Sequence, residues 1–424
     1  MLKIRNTIYP IFFLFFLSLN SYGQPLSQVT IEACYDWVTN NYPLIKQLDI
    51  IERTKAYNLS NAAKATLPQI NINGQASYQS EVTKFPASIP GVEIATLDKD
   101  QYKIYGDVFV PLTNRPAIKT KKQLIEANSK IAQQQIEIDL YQLKDRVNQL
   151  YFGILLMENK LKQIGILQKN LAAALEQTQA AVVNGLAIES NEQLLQAELI
   201  KSNQKTEELL ANKRAFISML AMLTKQEITE STNFIEPVAV SAFDQIKRRE
   251  LQLFDSRYQS VSLQEEQIKN SFIPTIGLFA QGGLGRPALN FLSNDFKLYY
   301  IAGLKINWNL SNYYTSDNNQ QILQLSKEKI NTQKEIFLLN TNLTMTQQSN
   351  EVVKYQKLIA TDNDLISLRR KIKETAATQL TNGLISALDY INYVNAEDEA
   401  NQDLILHQTQ LLLAQYNLKV TSGN

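Results

Sequence analysis

Two rhythms of hydrophobic residues run along the 424-residue chain. One is helical. Leu143, Val147, Leu150, Ile154, Met157, Leu161, Ile164, Gln168, Leu171 and Leu175 alternate spacings of four and three with a single polar exception. Such a heptad keeps one apolar stripe against a neighbouring helix, which is the seam of a coiled coil. Shorter stretches of the same kind follow at Ile336-Leu339-Leu343, Val352-Tyr355-Ile359 and Leu365-Leu368-Ile372. Both series lie in tracts free of proline, from Pro116 to Pro237 and after Pro287, so long helices can run without interruption.

The other rhythm has a period of two. It marks four strands, at 69–80, 101–113, 275–283 and 298–310. In the first, Ile70, Ile72, Ala76 and Tyr78 alternate with Asn71, Asn73, Gln75 and Ser77. In the second, Tyr102, Ile104, Val108 and Val110 alternate with Lys103, Tyr105 and Asp107. Ile276, Leu278 and Ala280 form the apolar series of the third, and Leu298, Tyr300, Ala302, Leu304 and Ile306 that of the fourth. Segments of about ten residues suit a transmembrane β-strand, although alternation alone equally describes a half-buried sheet in water. Tyr102, Tyr299, Tyr300 and Trp308 are candidates for an aromatic girdle at a membrane surface.

Punctuation divides the chain into two halves. Asn184-Gly185-Leu186 interrupts the first helical tract and Asn382-Gly383-Leu384 the second, 198 residues later. Asn and Gly both tolerate positive φ, so each pair predicts a helix stop and a tight turn into an antiparallel helix. The same offset relates Val110-Pro111-Leu112-Thr113-Asn114 to Trp308-Asn309-Leu310-Ser311-Asn312. The expected organisation is a segment 1–23 followed by duplicated halves, 24–240 and 241–424. Lys3 and Arg5 before the short apolar run 11–17, with small residues up to Gly23, describe a cleaved signal peptide.

Composition narrows the chemistry. Glycine (14) and proline (11) are about half as frequent as usual, which fits long helices and few turns. One cysteine, Cys34, and one histidine, His407, leave no material for a disulfide, a Cys/His zinc site or a Ser-His-Asp triad. Both read as packing residues. With a net charge of +1 there is no bulk attraction to nucleic acid, and no enzyme motif, cofactor or metal site is expected. The basic runs Lys119-Lys121-Lys122 and Arg369-Arg370-Lys371-Lys373 read as solvated helix faces, with lipid head groups or nearby carboxylates as the alternative partners.

Closure sets the stoichiometry. A sheet facing lipid cannot keep open edges, because hydrocarbon offers no partner for edge N–H and C=O groups. Four strands per chain cannot close alone. Two copies would give eight strands and a filled interior, whereas three give twelve and a polar lumen, which the Asn, Gln and Ser of the polar series favour. The fold class expected is mainly α with a small transmembrane β part.

These features together resemble the TolC-like outer membrane efflux proteins over essentially the whole mature length. The helix from Arg249-Glu250-Leu251 to Ser271-Phe272-Ile273-Pro274-Thr275-Ile276, the joint Trp308-Asn309-Leu310-Ser311 and the Asn-Gly-Leu turns carry the resemblance. It implies a homotrimer with a 12-stranded outer-membrane barrel and a helical barrel crossing the periplasm. It also implies docking to a periplasmic adaptor and an inner-membrane pump, with Gly185, Leu186, Gly383 and Leu384 at the docking tips. The family's entrance pattern, a Gly with Asp residues six and nine positions on, is met here by Gly383 and Asp389 but ends on Asn392. Asp389 and Asn392 are therefore the candidates for the pore constriction, with an ordinary first-turn helix residue as the alternative for Asp389. The first repeat offers only Ser190 and Asn191. The function implied is a passive exit duct for efflux or secretion; the competing reading is a periplasmic or surface coiled-coil scaffold without a pore.

Overall fold

The computed structural model describes residues 27–83, 96–240 and 245–424. The predicted signal peptide lies outside them. The chain opens with the short strand β1 (Gln28–Val29), helices α1 (Ile31–Asn41) and α2 (Lys46–Lys64), and strands β2 (Gln69–Tyr78) and β3 (Asp100–Pro111). The helix α3 (Arg115–Val183) follows, with α4 (Glu189–Thr224) returning beside it. A two-residue strand β4 (Asn233–Phe234) leads into the second half: α5 (Arg249–Asn270), β5 (Thr275–Arg286), β6 (Lys297–Asn307), α6 (Asn312–Thr381) and α7 (Ala387–Ser422). The order helix, two strands, long helix, returning helix thus occurs twice. At 1.5 Å per residue, the 69 residues of α3 and 70 of α6 each extend about 100 Å.

The strands form one antiparallel sheet in the order β2-β3-β5-β6. The third strand runs to Arg286, three residues past its expected end, because Gly282, Gly283 and Gly285 continue the ladder against Tyr300, Tyr299 and Lys297 without supplying apolar side chains to signal it. The fourth strand stops at Asn307, so Trp308 lies beyond the ladder, where its indole N–H donates to the Phe272 carbonyl at 3.1 Å.

The principal core sits midway along the helices. Val29, Ile31, Cys34 and Val38 pack there against Val147, Tyr151, Ile154, Leu220 and Phe234. β1 pairs with β4 in parallel, Val29 opposite Phe234, which fastens the start of the described chain to the junction between halves. The Tyr151 hydroxyl lies between two carbonyls, 2.7 Å from Val29 O, which also accepts the Ile235 N–H at 3.0 Å, and 2.8 Å from Ile235 O, and so ties the β1–β4 pair to α3. Cys34 is fully buried, and burial pushes its thiol up to about 12, leaving it an inert small core residue. A second cluster lies toward the hairpin turns, where Leu167, Leu171 and Leu195 meet Ala376, Tyr390 and Val394. Among the described residues no helix is long and apolar enough to cross a membrane.

Candidate functional site

The sheet has two chemically distinct faces, because side chains alternate across the pleat and the register aligns the series. On one face Ile70 lies opposite Val108, Val108 opposite Ala280, and Ala280 opposite Ala302. Ile104, Leu284 and Leu298 form a second such row. This apolar face is uncovered: Ile72 is 80% exposed and Leu298 84%. An uncovered apolar face spanning four strands is more than a single chain in water ordinarily exposes. Tyr102 and Tyr300 belong to this face. Tyr299 does not; adjacent residues of a strand point to opposite sides, so it joins the polar face and leaves the proposed girdle.

The polar face carries Asn71, Asn73, Gln75, Asp107 and Gln281. The Asp107 carboxylate accepts from the Asn71 amide at 3.1 Å and from that of Asn73. At the end of the sheet distant from the long helices, Arg286 pairs with Asp98 and Asp100 and stacks on Tyr102 and Phe296, tying the β5–β6 loop to β3.

The opposite end of the molecule is formed by the two hairpin turns, which the sequence placed by their Asn-Gly pairs. Gly185 and Gly383 both have φ +70°, a conformation that an L-residue adopts only with strain. In each turn the leucine N–H bonds back to the helix: Leu186 to Ala181 O at 2.8 Å, Leu384 to Gln379 O at 2.9 Å. The glycine N–H groups bond to Val182 O and Leu380 O at 3.0 Å. These paired bonds are Schellman motifs, which satisfy the terminal carbonyls of α3 and α6. Both leucines project into solvent, Leu186 79% and Leu384 72% exposed. The two turns sit side by side around a cleft of about 270 Å³, lined by Leu186, Asn191, Gly383 and Ile385 among others.

Asp389 has a local task. The Ser386 side chain accepts from the Asp389 N–H at 3.2 Å, and the Asp389 carboxylate accepts from the Ser386 N–H at 3.1 Å and hydroxyl at 2.6 Å. This capping box starts α7, and the hydrogen bonds from Ser386 hold the Asp389 carboxyl below the usual carboxylate range. The pattern Ser386-x-x-Asp389 was readable in the sequence as that signal. Asn392 is exposed one turn further along α7. The first turn has no equivalent, since Ile188 precedes α4 without a side-chain cap.

Buried charge appears where periodicity gave no warning. Glu397 accepts a 2.7 Å bridge from Lys373 and lies 3.6 Å from Arg370, so part of the basic run 369–373 neutralises an acid on α7. Next to it, burial raises the Asp398 carboxyl above its ordinary range, opposed by hydrogen bonds from Gln163 at 3.0 Å and Gln402 at 2.6 Å. Asp398, Glu198 and Lys160 border a cleft of about 560 Å³ between α3, α4 and α7. His407 does pack between helices, as its apolar neighbours indicated, and it also holds buried Asp362 of α6 at 2.7 Å beside the Tyr355 ring.

No protein-family model matches the sequence, and no curated protein matches it by sequence. Solved structures do match over nearly the whole chain. The outer membrane protein VceC from Vibrio cholerae aligns at TM-score 0.67 and 11% identity, covering 93% of this chain and 96% of that one. The CmeC outer membrane channel of Campylobacter jejuni aligns at 0.64 and 13%, covering 100% and 94%. The open state of the MtrE outer membrane channel of Neisseria gonorrhoeae aligns at 0.64 and 12%, covering 93% and 89%. With its four-stranded sheet at one end and paired long helices at the other, the chain has the TolC-like fold of these outer-membrane channels.

Proposed function

We propose that three copies of this chain close into a 12-stranded outer-membrane barrel continued by a helical barrel in the periplasm, and that the assembly is a passive exit duct. The observation that carries this reading is the sheet: one face apolar and uncovered, the other polar, and both edges, β2 and β6, unpaired. Pairing β6 of one protomer with β2 of the next removes the edges, faces the apolar series to lipid and encloses Asn71, Asn73 and Asp107 in a lumen. The scaffold alternative accounts for the helices but leaves an apolar sheet in water. Detergent-extracted protein should form ion-conducting trimers in planar bilayers; a water-soluble, non-conducting protein would end the duct reading.

In this reading the signal peptide is cleaved after Gly23, and the hairpin turns are the periplasmic tips. Exposed Leu186 and Leu384 offer apolar contacts to an adaptor that links the duct to an inner-membrane pump. Crosslinkers at these two positions should capture that adaptor. Asp389 and Asn392 line the closed entrance, where three Asp389 carboxylates around one axis would favour a divalent cation. Capping and pore roles are separable. Ser386→Ala removes the cap and keeps the charge, whereas Asp389→Ala removes both. Divalent block lost in the second variant alone supports the pore role; equal behaviour of the two leaves Asp389 a capping residue only.

A further inference from the structure

The charge of the polar sheet face is not balanced. Strand register places Lys103, Lys297 and Lys305 on that face, against the single carboxylate of Asp107. Lys103 lies opposite Gly285 on β5, and Gly285 lies opposite Lys297 on β6, so the two lysines stand in one row with no side chain between them. Strands about 4.8 Å apart put their backbones roughly 10 Å from each other. Gly285 keeps the row open: a Cβ there would meet Lys103 Cγ at 3.2 Å, because the lysine stem lies across the glycine. The row sits at the end of the sheet remote from the long helices, while Lys305 sits near the start of α6.

Partners for these charges are few. Among the described residues Lys103 and Lys305 form no ion pair, and Lys297 has only Asp295, at 3.5 Å with both side chains half exposed or more. An exposed pair of that kind neutralises little. Arg286, Asp98 and Asp100 satisfy each other away from the row. Asp107 is four residues from Lys103 along β3, and both its oxygens already accept amide N–H groups from Asn71 and Asn73. A passing cation would share that carboxylate with two amides, whereas an anion meets ammonium groups that are not engaged.

Resting on the duct reading, we infer that the outer mouth of the barrel is an anion-selective filter, with Lys103 and Lys297 as its specificity-determining residues and organic anions as the solutes it favours. In a closed trimer the row repeats three times and makes a ring of ammonium groups around the passage, the arrangement by which charged rings select ions of opposite sign. Tyr105 and Tyr299, on the same face, add aromatic surface for an organic body.

The experiment uses full-length protein, extracted in detergent and reconstituted in planar bilayers. Pyrene trisulfonate is added on the barrel side, with spermine as the cationic counterpart. The trisulfonate should block from that side and spermine should not. Lys103→Gln with Lys297→Gln should weaken trisulfonate block by about tenfold, since each lost charge contributes roughly a few-fold in a water-filled passage. Asp107→Asn should strengthen it. Native mass spectrometry confirms that each variant is still assembled. Conducting pores that spermine blocks equally well, or whose trisulfonate block is unchanged in the double lysine variant, overturn the filter and leave the duct standing. Assembled protein that never conducts overturns the duct and the filter with it.

Discussion

The two long helices are nearly equal in length and opposite in surroundings. α3 is packed by its own chain: α4 and α7 toward the tips, α1 midway, and α2 and α5 toward the sheet. Its buried residues run from Thr120 through Val147, Tyr151 and Ile154 to Thr178. α6 packs mainly on α5 and α7, and buries only Ser316, Thr341, Asp362, Ile366 and Ala376. Its apolar residues are instead exposed in a stripe at helical spacing, including Ile336, Leu339 and Leu343. A 70-residue helix with an apolar stripe in water is incomplete in the way the open sheet edges are incomplete. The difference teaches that the chain covers α3 by itself and leaves an apolar stripe of α6 uncovered, which is the surface the proposed assembly would use.

The sharpest way to break this comparison is to place a charge on each helix. Ile154→Glu puts an unpaired carboxylate in the central core and should cost several kcal/mol, abolishing the cooperative melt. Leu339→Glu with Leu343→Glu, at 59% and 60% exposure, should leave helicity and melting of the protomer intact while preventing association. If the α6 variant unfolds and still assembles whenever it is folded, the stripe has no role between copies. Next in size is Tyr151→Phe. Removing the hydroxyl leaves Ile235 O without its donor, while Val29 O keeps the Ile235 N–H, so stability should fall by about 1–3 kcal/mol in chemical denaturation.

These expectations also show what the sequence carried. The heptad of α3 and the alternation of the strands are patterns of burial against a surface, and such patterns survive whether the covering surface belongs to the same chain or to another. For that reason the stripe Ile336-Leu339-Leu343 was legible as a seam, but not which neighbour it faces. The hairpin turns were legible because positive φ selects glycine. The β1–β4 pairing was not: two residues joined to two others some 200 positions away leave no period. Asp398 and Glu397 were missed because buried carboxylates look like surface residues until Lys373, Gln163 and Gln402 are seen around them. Tyr299 leaves the candidate girdle because it adjoins Tyr300 in the strand, and neighbouring residues point to opposite faces.

Smaller effects sharpen the contrast between the two tips. Ser386→Ala should cost about 1 kcal/mol by removing the cap of α7, and Ile188→Ser should gain up to about as much by giving α4 a cap that it lacks. Local unfolding of each hairpin, followed by hydrogen exchange, separates the two. Gly383→Ala should cost about 1 kcal/mol through its positive φ, with Gly185→Ala matching it.

The smallest effects are in pH, and two aspartates of α7 have opposite signs. Asp389 is held below its unfolded value by the Ser386 hydrogen bonds, so its contribution is present above the unfolded carboxylate pKa of about 3.9 and is lost as pH falls through the lower folded value. Asp398 is raised by burial, so it favours the folded state at low pH, and that contribution is lost as pH rises through its folded value. Asp398→Asn should therefore be neutral or slightly stabilising at pH 7, with Asp389→Asn slightly destabilising. Thermal melts of the two variants across pH 3 to 7 would reveal the crossing, and parallel curves would contradict it.

Assembly is the central claim, and mass measures it most directly. Native mass spectrometry of the detergent-extracted wild-type protein should give a single species at three times the mature chain, and the Leu339→Glu, Leu343→Glu variant should give the monomer. A wild-type monomer that conducts ions in a bilayer would contradict the account.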